Sequence, residues 1–301
     1  MSIFISIAAY RDLEVRTTIE SAISNSSGEN DIYFGVFSQA DNHEFIDVSD
    51  IKNVKQRGVP ASEAKGAGYA RHMAEQFYDS QDYFLQIDAH CIFVKDWDTN
   101  LINWYKRIQS ETNNDKIIIS SWALPYRYED KKIVLNSTKT HGWHWDGKMV
   151  PHYNTIIPYN NVWTAERIPM EDDYHESLCV LGGLIFATGN LIKEVPYDKR
   201  ISWNGEEIVY SVRAYTRGWR IYSVKDNFLY HHYDRDLKRI WEDKPKDWSS
   251  LNHESIKTSL AVLSMKEKGV FGIADPLQYN EYQKKAGINM KREAGAKWRR
   301  L

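Results

Sequence analysis

Residues 83–91 read Tyr83-Phe84-Leu85-Gln86-Ile87-Asp88-Ala89-His90-Cys91, and the fold turns on how this stretch is read. Tyr83 to Ile87 is a short, nearly continuous apolar run, the signature of a strand covered on both faces. Asp88 and His90 follow at its carboxyl end, the edge at which open α/β sheets bind ligands. Upstream, Ser2 to Tyr10 is another apolar run, followed by Val15, Ile19, Ala22 and Ile23 at helical spacing. Ile32 to Phe37 is a second buried strand, and Ala67, Ala70, Ala74 and Phe77 mark a second helix whose other face carries Gly68 and Arg71. Strand, helix, strand, helix, strand in this order implies parallel pairing and a Rossmann-like α/β half.

The second half is less regular. Ile117 to Ile119 reads as a fourth strand, and residues 122–176 form a long stretch rich in Trp, Tyr, His and Asn. Such a stretch inside a compact domain acts on something or covers something. Gly182-Gly183-Leu184-Ile185-Phe186 restores a strand-like signal. A helix from about Glu206 carries Ile208, Val212 and Tyr215 on one face and ends by Gly218, with another helix around Ile256 to Lys266. The expected architecture is one α/β domain with a mostly parallel central sheet, helices on both faces and an elaborated second half.

Composition narrows the function. The 301 residues carry 39 Lys and Arg against 41 Asp and Glu, a balance that disfavours a generally basic nucleic-acid binder. Eleven Trp and 19 Tyr suit a site that stacks on flat or ring-shaped ligands. Cys91 and Cys179, the only two cysteines, sit in apolar runs and read as reduced thiols of a cytoplasmic protein. The N-terminal apolar run has no basic residues before it and is too short to span a bilayer, so no membrane role is expected.

Three clusters could carry chemistry. Oxygen and imidazole donors from Asp88 and His90 suit a divalent ion such as Mn2+, whereas an Asp capping the next helix beside an unrelated His is the competing reading. In Tyr230-His231-His232-Tyr233-Asp234-Arg235 the two histidines point to opposite faces of a strand, so only one can join Asp88. His141 and His144 suit loop packing or acceptor contact, and no spacing matches a zinc signature. Trp203-Asn204-Gly205-Glu206-Glu207 reads either as a helix start capped by Asn204 or as a polar pocket floor with Glu206 accepting hydrogen bonds from a ligand.

Five ordered segments together resemble a known family: residues 6–12 (Ser-Ile-Ala-Ala-Tyr-Arg-Asp), 85–90 (Leu-Gln-Ile-Asp-Ala-His), 195–198 (Val-Pro-Tyr-Asp), 205–207 (Gly-Glu-Glu) and 230–235. In this order they resemble the cytoplasmic polypeptide N-acetylglucosaminyltransferases that modify hydroxyproline. The same frame is similar to the mucin-type polypeptide N-acetylgalactosaminyltransferases, with their Asp-x-His-Cys, Gly-Gly-Leu, Trp-Gly-Gly-Glu-Asn-like and His-x-x-Arg segments. The likeness runs from about Ile3 to Arg235 and departs at Ala89, where the hydroxyproline enzymes usually have Ser.

The resemblance implies a GT-A fold and a retaining, metal-dependent transfer from a UDP-sugar, most simply UDP-GlcNAc, to a hydroxyl on a protein or other macromolecule. It implies Asp88, His90 and His232 as ligands of Mn2+, or alternatively Mg2+, with His231 in reserve if the strand register shifts by one. Arg235 would hold the diphosphate; Ala8, Tyr10, Arg11 and Asp12 would frame the uridine; Arg71 would reach the nucleotide or sugar. Gly183 would allow close approach of the sugar, Glu206 would bind its hydroxyls, and Trp203 would sit on a loop over the donor. Residues 1–235 would form the catalytic domain, with a donor half of about 1–120 and an acceptor half of about 121–235. Residues 236–301 would add a helical extension. Two other readings stay open: the same chemistry on a hydroxylated DNA base, held by the 122–176 stretch and the basic Lys291–Arg300 tail, and a catalytically silent sugar-nucleotide-binding module.

Overall fold

Strand β1 (Ser2–Tyr10) organises the chain, because its alternate residues serve two different cores. In this computed structural model, which describes residues 1–135, 143–145, 167–169, 172–203, 205–234, 239–243, 245–287 and 289–298, Ile3, Ile5, Ile7 and Ala9 face one core. There they meet helices α1 (Val15–Ser24) and, further along the chain, α3 (Trp97–Thr112). Phe4 faces the opposite core. β1 pairs in parallel with β2 (Asp31–Gln39) and β4 (Tyr83–Asp88), and β2 with β3 (Val54–Val59). Between β3 and β4 lies α2 (Ala67–Glu75), whose Ala70 and Ala74 pack on Phe37.

After β4 the chain forms a short β5 (Cys91–Phe93), then α3 and β6 (Ile117–Ile119). α3 has no counterpart in the sequence reading, although Trp97, Leu101, Trp104, Tyr105 and Ile108 mark its buried face at helical spacing. β3 was also not anticipated: it is an edge strand, Val-Lys-Gln-Arg-Gly-Val, too polar to read as buried. Within 122–176 the described residues form β7 (Leu124–Glu129), β8 (Lys132–Leu135), β9 (Trp143–Trp145) and β10 (Arg167–Pro169), with β11 (Tyr174–Ser177) straddling its end. Residues 136–142, 146–166 and 170–171 of that stretch, His141 among them, lie outside the described residues.

β12 (Leu184–Thr188) enters antiparallel between β4 and β6. It is followed by α4 (Asn190–Glu194), α5 (Glu206–Tyr215), β13 (Arg220–Val224) and β14 (Leu229–His232). The central sheet has the order β11-β13-β6-β12-β4-β1-β2-β3, with α1 and α3 on one face and α2, α4 and α5 on the other. A second sheet, β5-β14-β7-β8, stands at the end of β4. Its register pairs His231 with Cys91 and Tyr230 with Ile92. α6 (Ile240–Asp243) is followed by α7 (Pro245–Leu263), α8 (Pro276–Lys285) and α9 (Met290–Trp298). The last three bury Ile256, Leu260, Tyr279, Tyr282 and Met290 against Ile208, Val212 and Tyr215 of α5. Among the described residues no helix is long and apolar enough to cross a membrane.

Candidate active site

The carboxyl ends of β1 and β4, the start of α5 and the end of β14 meet around a cavity of about 390 Å3, within the range of small-molecule sites. β4 ends as the sequence reading expects, so Asp88 and His90 project there. Opposite them the structure places His231, not His232. Asp88, His90 and His231 each offer a donor atom, all within 4.8 Å of one another. His90 Nε2 lies 2.8 Å from His231 Nε2, which lies 3.1 Å from Asp88 Oδ2. Adjacent corners around a cation with bonds of roughly 2.1 Å are about 3.0 Å apart, so the donor spacing fits a divalent ion.

His90 is oriented from behind. Its Nδ1 lies 2.8 Å from Asp12 Oδ2, which can only accept, so Nδ1 carries the proton and Nε2 turns its lone pair into the cluster. With no proton on His90 Nε2, the His231 Nε2–H is the donor that faces both His90 Nε2 and Asp88 Oδ2. A cation bound there would take the place of that proton. Burial alone would raise the Asp88 pKa, but the His231 hydrogen bond and the Arg71 charge outweigh it and hold the group well below the usual carboxylate range.

His232, the expected third ligand, also borders the cavity, but its ring turns to the other face of β14. Its Nδ1 lies 2.7 Å from Glu14 Oε1, and its ring stacks on Tyr126 at 5.1 Å. The strand register decides this, because neighbouring residues alternate faces.

Arg71 forms the second half of the site. It is 4% exposed, donates from Nη2 to Asp88 Oδ1 at 3.1 Å, and makes a close ion pair from Nη1 with Glu206 Oε1. Burial raises the Glu206 pKa and Arg71 opposes that rise. Glu206 is itself buried, and its Oε2 has no hydrogen-bond partner among the described residues. The neighbouring Glu207 lines the cavity, accepts Gly182 N–H at 2.7 Å, and is pushed up to about 7 by burial and by Glu206. Gly183 lies close to Asp88: a Cβ there would sit 3.2 Å from Asp88 Oδ2, a tight contact.

The other expected residues divide. Ala8, Tyr10, Asp12 and Trp203 line the cavity, and Trp203 packs edge-on against Trp241 with ring centroids 5.7 Å apart. Asp12 serves His90, a role the sequence reading did not give it. Arg11 is not among the lining residues: it is held by Asp41, Glu44 and Asp243, and Tyr10 donates to the same Asp243 at 2.7 Å. α5 is capped by Gly205 at φ +89°, while Asn204 and Arg235 lie outside the described residues. Arg239, Ile240 and Trp241 line the cavity and were not singled out from sequence. A charged residue followed by two apolar ones just beyond the His-His segment was the available signal.

Two solved structures share the architecture. The chain aligns with GalNAc-T7, crystallised with UDP, GalNAc and Mn2+, over 98% of its own length and 56% of the other's, at 15% identity and a TM-score of 0.53. The chain thus spans little more than half of that protein. It aligns with S. aureus TarS 1–349, crystallised with UDP-GlcNAc, over 96% of its own length and 72% of the other's, at 11% identity and a TM-score of 0.52. These likenesses establish the GT-A fold. No curated protein matches in sequence. The profile of the family described as Glycosyltransferase (GlcNAc) matches residues 2–53 and 43–300, nearly the whole length, and the chain belongs to that family.

Proposed function

We propose that the protein is a retaining, metal-dependent glycosyltransferase that moves GlcNAc from UDP-GlcNAc to a hydroxyl of a macromolecule, hydroxyproline in a cytoplasmic protein being the acceptor the sequence resemblance favours. One observation carries the reading: a cluster of cation-binding type, Asp88, His90 and His231, lines the same cavity as Arg71, whose other carboxylate partner, Glu206, is buried outside the lining residues. GalNAc-T7 was crystallised with Mn2+ and UDP, and TarS with UDP-GlcNAc, which supports the same ligand classes here. Mg2+ is the alternative ion. The two buried cysteines, Cys91 and Cys179, suit a reducing compartment.

A divalent cation at this cluster supplies positive charge beside the leaving diphosphate. The protein's own groups do the rest. Asp12 holds His90 with its lone pair inward, and Arg71 fixes Asp88 from the opposite side. Tyr10 and Ala8 flank the uridine end and Gly183 borders the sugar, whose hydroxyls are given to Glu206, as the resemblance implies, with Glu207 lining the cavity beside it. Trp203 and Trp241, which line the cavity and pack on each other, would exclude water from an activated donor. Arg235 completes the diphosphate contacts in this proposal. No carboxylate is assigned as nucleophile, so the acceptor enters on the face that UDP leaves and an α-linked product results from an α-linked donor. In this division, residues 1–120 hold the donor, 121–235 the acceptor, and 236–301 brace the catalytic domain.

The test is UDP release from UDP-GlcNAc with Mn2+ or with EDTA, in wild type, Asp88→Ala, His231→Ala and His232→Ala. Turnover should vanish in EDTA, in Asp88→Ala and in His231→Ala, with His232→Ala losing far less. Full activity in EDTA or in His231→Ala refutes the metal assignment, and a β-linked product refutes retention.

A further inference from the structure

We propose that Tyr197 is a positioning residue for Arg71, an inference that rests on the reading of Asp88 and Glu206 as donor-binding groups. The Val195-Pro196-Tyr197-Asp198 segment carries part of the family resemblance, yet none of its residues lines the cavity. Tyr197 is 2% exposed and lies just beyond α4. Helix α2 clamps both polar atoms of its main chain. Tyr197 N–H donates to Glu75 Oε2 at 2.9 Å, and His72 Nδ1 donates to the Tyr197 carbonyl at 2.9 Å. Both partners sit on the helix that carries Arg71, so arginine and tyrosine are held in one frame.

The side chain completes the link. The Tyr197 hydroxyl oxygen receives Gln86 Nε2 at 3.2 Å and Arg71 Nη1 at 3.4 Å, and the Arg71 guanidinium carbon lies 5.5 Å from the tyrosine ring centroid. Gln86 is tied in turn to the Gly182 carbonyl at 2.7 Å, beside the glycine turn that faces Asp88.

Arg71 must bridge two carboxylates borne on different elements, Asp88 on β4 and Glu206 on α5. A long side chain between two acids can collapse onto either one, and holding it costs rotamer entropy. A neutral oxygen at Nη1 and a ring beside the guanidinium restrict that freedom without adding a third negative charge. Tyr197 thereby sets where Asp88 and Glu206 present their remaining oxygens.

A natural control lies alongside. Tyr210 is also fully buried, its ring centroid 4.7 Å from that of Tyr197, but its hydroxyl has no hydrogen-bond partner among the described residues. Tyr197→Phe and Tyr210→Phe therefore remove the same atom at the same depth, and only the first removes a contact to Arg71.

The experiment compares Tyr197→Phe, Tyr210→Phe and Asp88→Ala in the full chain, with both phenylalanine variants repeated in an Arg71→Lys background. It reads kcat and KM for UDP release, calorimetric affinities for UDP and UDP-GlcNAc with Mn2+, and Tm. Tyr197→Phe should lower kcat roughly tenfold, the scale of one hydrogen bond to a charged group. It should also reduce the preference for UDP-GlcNAc over UDP, which Tyr210→Phe should leave unchanged, with Tm showing that both variants remain folded. In the Arg71→Lys background both effects should disappear, read on binding where turnover is lost. Equal kcat in Tyr197→Phe and Tyr210→Phe, or the same loss in both backgrounds, overturns the role of Tyr197. Wild-type turnover by Asp88→Ala would instead overturn the reading of the site itself.

Discussion

Asp12→Asn tests the site through a single proton. Asp12 is 4% exposed; its Oδ1 accepts the Glu14 N–H at 3.0 Å and its Oδ2 holds His90 Nδ1 at 2.8 Å. Asparagine fits the same space but has only one acceptor oxygen. If that oxygen keeps the Glu14 N–H, the NH2 faces His90 Nδ1, which must then accept. The imidazole proton moves to Nε2, the atom 2.8 Å from His231 Nε2, and one of three donor lone pairs is lost. Removing a carboxylate that orients a metal-bound imidazole costs about 10–100-fold in metal affinity, about 1.4–2.8 kcal/mol. The tautomer reversal places Asp12→Asn toward the upper end. Mn2+ titration by calorimetry measures the affinity, and 15N-resolved NMR of the imidazole reads which nitrogen carries the proton. A Mn2+ affinity within threefold of wild type, or a His90 that keeps its Nδ1 proton, refutes the reasoning.

Gly68→Ala probes the packing that brings α2 to the site: its Cβ would fall 1.9 Å from the Ile201 carbonyl oxygen, a backbone atom held near the Ser202 carbonyl that accepts Gly68 N–H at 3.1 Å. We expect a loss of about 1–3 kcal/mol, read by urea unfolding, and an unchanged midpoint would show that the contact relaxes freely. Glu75→Gln probes pH dependence, since burial pushes the Glu75 carboxyl from 4.5 up to about 8. A raised folded-state pKa gives stability that is fully present below the unfolded value and is lost as pH rises through the folded one. Wild-type Tm should therefore fall more steeply than that of Glu75→Gln between about pH 4.5 and pH 8, and parallel profiles would contradict the shift.

Much of this was legible in the chain itself. Buried parallel strands must be apolar on both faces, so β1, β2 and β4 stand out, and the strand–helix alternation between them permits few topologies. The end of the Tyr83–Ile87 run places Asp88 and His90 at the ligand-binding edge for the same reason. Gly68 and Arg71 on one helix face already indicated a close neighbour there, which proved to be Ile201 and the two carboxylates. Alternation along a strand also required that only one of His231 and His232 could face Asp88.

Which histidine it is was decided in three dimensions. The pairing of His231 with Cys91 sets the face of β14, and a one-residue slip would have exchanged the two rings. Partnerships across the chain were equally hidden: Asp12 lies 78 positions from His90, and Arg71 lies 135 from Glu206. Local periodicity reports which face of an element is buried, because that depends on neighbours a few residues away. It carries no record of which distant polar group shares the burial, and the requirement that buried charges find partners is met only when the sheets and helices close around them.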